Sequence, residues 1–296
     1  MEIYRFRFDA MGGVGEVVMV SESKEKAQSI ANLALEEVGR IEFKYSRYRP
    51  ESIVSRINAA AGRDFVDYDE ETAALIKYAD TLYDQSNGLF DITSGVLRHA
   101  WDFGKGVLPE PAKLSELLAL IGWNRAERQE NAIRLPESGM EIDFGGFGKE
   151  YAADRAAAVV HAQGVRHGYV NLAGDIRLVG PKPDDTPWII GIQDPRHKQR
   201  TIASIPLYSG ALATSGDYER FFEADGKRYC HIIHPGTGYP VTYWRSVTVV
   251  APLAITAGSC TTIAMLKGAD AVPFLDESGM GYLAVDQTGK IYHKNT

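Results

Sequence analysis

Two histidines three residues apart are the first feature of the sequence that could do chemistry. His231 and His234 lie between Cys230 and Pro240. A neutral imidazole can accept a proton or bind a metal ion near pH 7. Residues 229–233 read as a strand, and residues three apart on a strand point to opposite faces, so both rings do not easily reach one ion. We therefore expect one histidine to face a site and the other to face elsewhere.

A glycine-rich segment is the second such feature. It reads Gly145-Gly146-Phe147-Gly148-Lys149 and leads into a predicted helix at residues 151–163. Glycines let the backbone approach a ligand closely, and amides at a helix start attract phosphate, to which the lysine adds a positive charge. The spacing is not that of a nucleotide phosphate loop. Nor do Gly13 and Gly15 begin a dinucleotide-binding fingerprint, because Val18 stands where its third glycine is needed.

Several further polar clusters are spread along the chain, and each taken alone could be a turn. Together they favour a large polar ligand that many segments hold. Besides residues 142–149 and 231–240, the clusters are residues 45–52 with Arg56 and Asn58, residues 88–95, residues 171–175, residues 214–220 and residues 257–262.

The spacing of apolar residues predicts helices and strands in irregular order. Because no regular βαβ alternation is seen, we expect an α+β fold with mainly antiparallel strands, a ligand groove between subregions and one domain over residues 1–296. Helices are predicted around residues 27–41, 69–86, 111–121, 151–163, 256–266 and 269–275, and strands around residues 4–8, 16–20, 169–172, 188–192, 201–205, 229–233, 246–250 and 282–285.

Composition excludes several classes of protein. Apolar residues make up 45% and charged residues 24% of the 296 residues, as in ordinary globular proteins. A net charge of −7 and a pI near 5.6 argue against a broad nucleic-acid surface. No apolar stretch is long enough for a membrane span. Two cysteines form no disulfide framework, and the start of the chain shows neither a secretory signal nor a lipid-acceptor cysteine, so we expect a cytoplasmic protein.

Taken in order, the polar clusters resemble the FAD:protein FMN transferase family, ApbE-like proteins formerly called thiamine-biosynthesis lipoproteins. The resemblance runs from Met11 to about Gly268, and its most specific parts are residues 143–154, 215–220 and 231–240. In that family FAD binds in a groove and Mg²⁺ bridges its pyrophosphate. A threonine or serine hydroxyl of an acceptor protein attacks the phosphorus on the FMN side, and AMP leaves. Such phosphoryl transfer depends on positioning and on neutralising charge at the phosphoryl oxygens.

The resemblance implies roles for the matching residues of this chain. His231 would be the catalytic residue, close to the phosphates, where its ring could accept the proton of the acceptor hydroxyl. Around the flavin the resemblance places Met11, Tyr48, Leu89, Phe90 and Asp91. Against the rest of FAD it places Gly145, Lys149, Ser215, Asp217 and Ile232. As magnesium ligands it implies the carbonyl of Gly148 and the hydroxyls of Thr261 and Thr262.

The sequence departs from the family pattern in two places. The family reads Asp-Ala-Leu-x-Thr at the metal-binding helix, and Gly258 stands at the position of the Asp. In the segment that begins at His231, His234 and Gly236 replace an acid and a base. Because Mg²⁺ in proteins usually takes one or two carboxylates, the missing one predicts weak magnesium binding. Three functions stay open: an active transferase, an FAD-binding paralogue with weak or no catalysis that carries flavin, and an FAD pyrophosphatase.

Overall fold

Helices and strands alternate irregularly along residues 1–295, the part of the chain that the computed structural model describes. The α-helices are α1 (Lys24–Tyr45), α2 (Ile53–Ala59), α3 (Glu70–Gln85), α4 (Pro111–Leu118), α5 (Gly148–Ala162), α6 (Ala254–Lys267) and α7 (Ala271–Glu277). The strands are β1 (Glu2–Ala10), β2 (Gly13–Ser21), β3 (Val66–Asp67), β4 (Glu127–Gln129), β5 (Ala132–Arg134), β6 (Gly168–Leu172), β7 (Asp175–Gly180), β8 (Trp188–Gln193), β9 (Thr201–Leu207), β10 (Ala211–Gly216), β11 (Phe221–Ala224), β12 (Lys227–Cys230), β13 (Trp244–Ala251), β14 (Gly281–Asp286) and β15 (Ile291–Lys294).

An eight-stranded sheet organises the fold. Its strands lie in the order β1-β2-β6-β7-β10-β13-β14-β15, and every neighbouring pair is antiparallel. The other strands form a three-stranded sheet, β3-β5-β4, and two hairpins, β8-β9 and β11-β12. The predicted α+β class with mainly antiparallel strands is confirmed.

The two faces of the large sheet are covered differently. Side chains alternate along a strand, so Val17 and Met19 of β2 point to one face and Val18 to the other. Val17 and Met19 join a core that includes the apolar residues of α1 and α5. Val18 instead joins a smaller cluster with Trp188 of the β8-β9 hairpin. A helical layer therefore lies on one face and a β-hairpin on the other.

Helices α5 and α6 run antiparallel, and one side chain fixes their register. Asp154, in the middle of α5, accepts hydrogen bonds of 2.9 Å from the backbone N–H groups of Ala254 and Ile255. These N–H groups open α6 and have no partner within their own helix, so the carboxylate caps it. One turn earlier on α5 is Glu150, and one turn later on α6 is Gly258. The cap therefore brings positions 150 and 258 opposite each other.

Most predicted elements are present within a few residues of their expected bounds. The N-terminal cap predicted at Asp69 is confirmed, since its Oδ1 accepts a 3.0 Å hydrogen bond from the N–H of Thr72. Helix α2 and strands β3, β4, β5, β7, β10, β11 and β15 were not predicted. In residues 1–295 no helix has both the length and the apolar character needed to cross a membrane.

Candidate functional site

Aromatic rings pack against the glycine-rich segment, residues 145–149. Phe147 is fully buried and stacks on Phe90, with ring centroids 6.2 Å apart and planes 21° from parallel. A Cβ atom added at Gly146 would lie 2.7 Å from the Phe90 ring, so this position needs glycine. Phe90 is itself 5% exposed, and Leu89 is half-buried against the core. The structure therefore places Phe90 against the glycine-rich segment, whereas Leu89 packs against the cluster that includes Trp244.

Asp91 holds the adjoining chain in place. Its carboxylate is buried and accepts hydrogen bonds from the backbone N–H of Thr93 at 2.7 Å and of Trp123 at 3.0 Å. Burial raises the pKa of Asp91, while these hydrogen bonds oppose the shift. In this structure the carboxylate supports the loop that carries Phe90.

A chain of contacts connects Tyr48 to the glycine-rich segment. We call its four residues the Tyr48 group (Arg47, Tyr48, Asp143 and Gly145). The Tyr48 side chain is 76% exposed, and the Arg47 guanidinium lies 4.9 Å from its ring centroid. Arg47 also pairs with Asp143, whose Oδ1 accepts a 2.9 Å hydrogen bond from the N–H of Gly145. An exposed aromatic ring of this kind can stack on a flat aromatic ligand.

A second set of polar side chains meets where α5, α6, β7 and β10 adjoin, and we call it the Lys149 group (Lys149, Asp175, Ser215 and Thr261). Lys149 Nζ pairs with Asp175 Oδ2, and the Ser215 and Thr261 hydroxyl oxygens are 2.8 Å apart. Thr261 also donates a 2.8 Å hydrogen bond to the carbonyl of Gly258. Burial lowers the pKa of Lys149, but Asp175 and Glu150 outweigh it and hold the pKa above its ordinary value. The lysine is therefore a permanent positive charge.

His231 is an exposed residue directly after β12. Its backbone N–H donates a 2.9 Å hydrogen bond to the carbonyl of Arg220. Desolvation by the flanking protein lowers the pKa of His231, and the charges of Arg220 and Lys149 lower it further. The residue is nevertheless exposed, so a ligand can reach its ring. His231 is thus neutral near pH 7 and lies close to two cations.

Arg220 also connects this region to the first hairpin. Its Nη2 lies 3.5 Å from the carbonyl oxygen of Gly12, in the turn between β1 and β2. Met11, in the same turn, has a left-handed backbone with φ of 52° and lines a cavity of about 470 Å³. The structure thus brings the Met11 turn toward Arg220 and His231.

The strand predicted over residues 229–233 is wrong at its end, because β12 stops at Cys230. His231 and His234 lie in the loop that follows, so the argument from strand alternation does not apply to them. Pro235 has no backbone N–H to continue a ladder, and the carbonyl of His234 accepts a 2.8 Å hydrogen bond from the N–H of Gly238. His234 Nδ1 accepts a 3.1 Å hydrogen bond from the N–H of Gly236. The His234 ring therefore closes a turn.

Ile232, between the two histidines, points a different way. It is half-buried and packs against the cluster that includes Trp244. Its carbonyl accepts a 2.9 Å hydrogen bond from the N–H of Val241. These contacts anchor the loop that carries His231.

Asp217 is engaged in an ion pair within the protein. Its carboxylate is 3% exposed and accepts two hydrogen bonds of 2.7 Å from the Arg196 guanidinium. A third, of 2.9 Å, comes from the side-chain amide of Gln287. The bidentate contact with Arg196 occupies both oxygens of the carboxylate and uses much of its capacity to accept hydrogen bonds. Sequence reasoning missed Arg196, which lies 21 residues from its partner.

Glu150 is the second residue that sequence reasoning missed, although it follows Lys149 directly. It is 8% exposed, and its Oε1 lies 3.8 Å from Lys149 Nζ. Within residues 1–295, Glu150 Oε2 has no hydrogen-bond partner. A Cβ atom added at Gly258 would lie 2.5 Å from Glu150 Cγ. Burial raises the pKa of Glu150, with Lys149 opposing the shift and Asp175 adding to it.

The magnesium ligands that the resemblance implies lie on α5 and α6, the two helices that adjoin at Glu150 and Gly258. Gly148 opens α5 and is buried, Thr261 is buried on α6, and Thr262 is half-buried at the next position. Thr262 lies one helical turn after Gly258, on the same side of α6. In residues 1–295 no group of three His, Cys, Asp or Glu side chains is arranged to hold a metal ion. A metal here would depend on hydroxyl and carbonyl oxygens with few carboxylates.

Comparison with known proteins identifies relatives over nearly the whole chain. Residues 11–284 match the model of the ApbE family. An FAD:protein FMN transferase from Vibrio cholerae is 32% identical, and the match covers 90% of this chain and 79% of that protein. One from Treponema pallidum is 29% identical, with 86% and 77% covered.

Solved structures agree with this relationship. The ApbE protein of Thermotoga maritima has a TM-score of 0.91 and 34% identity, with 99% of this chain and 97% of that chain covered. The flavin transferase ApbE of Vibrio cholerae has a TM-score of 0.86 and 27% identity, with 99% and 98% covered.

Proposed function

Because the chain belongs to the ApbE family, we propose that it is an FAD:protein FMN transferase. It transfers the FMN part of FAD to a threonine or serine hydroxyl of an acceptor flavoprotein and releases AMP. The flavin ring lies against the Tyr48 group, and the pyrophosphate lies between the Lys149 group and His231. The relatives named as flavin transferases support the reaction class. The target hydroxyl, the leaving AMP and the placement of FAD are our proposal.

His231 is the general base of the proposed reaction. Its ring accepts the proton of the acceptor hydroxyl as that oxygen forms a bond to the phosphorus on the FMN side. The bond from this phosphorus to the bridging oxygen breaks, and AMP leaves with the bridging oxygen. Lys149 and Arg220 supply positive charge close to the phosphoryl oxygens, where negative charge develops.

The observation that carries the proposal is the exposed imidazole of His231, in a loop whose backbone is hydrogen-bonded to Arg220. A base must be unprotonated to act, and desolvation together with Arg220 and Lys149 keeps the pKa of His231 low. The same cations favour a phosphate next to the ring. His234, in the same loop, has a structural role instead, because its ring accepts a hydrogen bond from the backbone and closes a turn.

We also propose that the reaction uses Mg²⁺, held by the Gly148 carbonyl and by hydroxyls of Thr261 and Thr262. Hard oxygen donors of this kind suit magnesium, which usually keeps several waters and binds substrate phosphates. When bound, the ion would neutralise charge on the pyrophosphate oxygens.

Release of AMP from FAD tests the proposal. The purified protein is incubated with FAD and Mg²⁺, with and without an acceptor protein that carries a target threonine. AMP is measured by chromatography, and flavin attached to the acceptor is measured by fluorescence after denaturing electrophoresis. A transferase releases AMP only with the acceptor and labels it. AMP without an acceptor would indicate a pyrophosphatase, and bound FAD without AMP would indicate a flavin carrier.

Two histidine variants make this assay specific. His231→Ala should lower FMN transfer by about 10²-fold, the usual effect of losing a general base. His234→Ala is the matched control, in the same loop, and should lower transfer by much less. Equal losses in the two variants would contradict the assignment of His231.

A further inference from the structure

We propose that Glu150 is a metal ligand in this protein and supplies from α5 the carboxylate that the family pattern places at position 258 on α6. The inference rests on the proposed function, since it concerns the magnesium site of that reaction. It replaces the expectation that the lost aspartate leaves the site without a carboxylate.

The first argument is spatial. A side chain at position 258 would begin 2.5 Å from Glu150 Cγ and 2.8 Å from Glu150 Oε1. Both distances are far below contact distance between non-bonded heavy atoms. The Glu150 carboxylate thus occupies the space into which a residue at position 258 would project. A carboxylate can come from α5 or from α6, but not from both in this arrangement.

The second argument is the state of the carboxylate itself. Glu150 is more than nine-tenths buried, and within residues 1–295 its Oε2 accepts no hydrogen bond. Buried oxygens of charged groups are almost always paired, because an unpaired one loses its hydration without compensation. Lys149 lies 3.8 Å from the other oxygen, beyond hydrogen-bond distance, and is paired with Asp175. One oxygen of the Glu150 carboxyl group is thus left without a donor among the described residues.

The third argument is the chemistry of the neighbouring groups. Thr262 lies one turn from Gly258 on the same side of α6, and Thr261 Oγ1 donates a hydrogen bond of 2.8 Å to the Gly258 carbonyl. The side chain that reaches position 258 is thus an acid, and the Thr261 hydroxyl lies next to it on α6. One or two carboxylates with hydroxyl and carbonyl oxygens form the donor set that magnesium takes in phosphate-handling sites.

Binding of Mn²⁺ alone tests the inference without any reaction. Mn²⁺ is titrated into the purified wild-type protein and followed by electron paramagnetic resonance, with Mg²⁺ added afterwards as a competitor. Glu150→Gln keeps the size of the side chain and removes its charge, and it should weaken Mn²⁺ binding at least tenfold. Glu277→Gln, at the exposed end of α7, makes the same change in net charge and should leave binding unchanged.

A second variant guards against a loss of binding that merely reflects disturbed packing. Glu150→Ala combined with Gly258→Asp keeps the net charge of the wild type and returns the carboxylate to α6, where the smaller alanine leaves room for it. This double variant should bind Mn²⁺ within about threefold of the wild type, while Glu150→Ala alone should bind it at least tenfold more weakly.

The inference is overturned if Glu150→Gln binds Mn²⁺ as tightly as the wild type, if the double variant binds no better than Glu150→Ala, or if the wild type binds no Mn²⁺ that Mg²⁺ displaces. These outcomes are separate from the fate of the proposed function. A wild-type protein that binds Mn²⁺ through Glu150 but never labels an acceptor would refute the transferase and leave the ligand assignment standing.

Discussion

Replacing Asp217 by alanine should destabilise the protein and leave the affinity for FAD unchanged. The carboxylate is 3% exposed and accepts hydrogen bonds from Arg196 and Gln287. Removing one partner of a buried ion pair costs about 3–5 kcal/mol. The Arg196 side chain is 25% exposed, so water relieves part of its unpaired charge and the lower figure applies. We expect a loss of about 3 kcal/mol in the free energy of unfolding, or roughly 6 °C in Tm.

Thermal denaturation gives the stability, and quenching of flavin fluorescence gives the dissociation constant for FAD on the folded protein. Glu137→Ala is the matched control, since Glu137 pairs with Arg125 at 2.7 Å but its side chain is 52% exposed. Exposed pairs contribute about 0–1 kcal/mol, so this variant should melt within a few degrees of the wild type. If Asp217→Ala melts like the wild type but binds FAD at least tenfold more weakly, Asp217 contacts the ligand and our reasoning is wrong.

Three further predictions concern other parts of the site. Tyr48→Ala should weaken FAD binding about tenfold, because stacking on an aromatic ring contributes about 1–3 kcal/mol, and an unchanged dissociation constant would remove Tyr48 from the site. The midpoint of the pH–rate profile for FMN transfer should lie below about 6.5, the pKa of a free imidazole, because desolvation and the nearby cations lower the pKa of His231; a midpoint above 6.5 would contradict this. Asp154→Ala should lower the free energy of unfolding by about 2 kcal/mol, because two N–H groups of α6 and Arg177 lose their partner, and chemical denaturation that shows no change would rule out the capping role.

Local patterns made much of the fold predictable from the sequence. The apolar stripe of α1 and the capping aspartate of α3 involve residues close in the chain, so spacing alone located both helices. The family resemblance, confirmed by the match over residues 11–284, named Lys149, Ser215 and His231, which the structure brings to one region. None of these assignments says which atoms touch, so the roles of the individual residues stay predictions.

Pairings between distant residues were not predictable. Asp217 looks like a free acid in its motif because Arg196 comes from another part of the chain. The end of β12 was misplaced because residues 229–233 are rich in strand-forming side chains, whereas the partner strand β11 begins at Phe221, opposite Cys230, so the ladder ends there. Glu150 follows Lys149 directly in the sequence, but only the packing of α5 on α6 shows that it lies against Gly258.

The cap that Asp154 places on α6 has a consequence for how relatives of this protein diverge. Because it holds the two helices in one register, positions 150 and 258 compete for a single volume. A substitution that introduces an acid at one position is excluded while a side chain fills the space from the other. If neither position carried an acid, this space would hold no carboxylate. The two positions should therefore change together. Homologues that carry glycine at the position of 258 should carry an acid at the position of 150, and those with an aspartate at 258 should have a very small residue at 150.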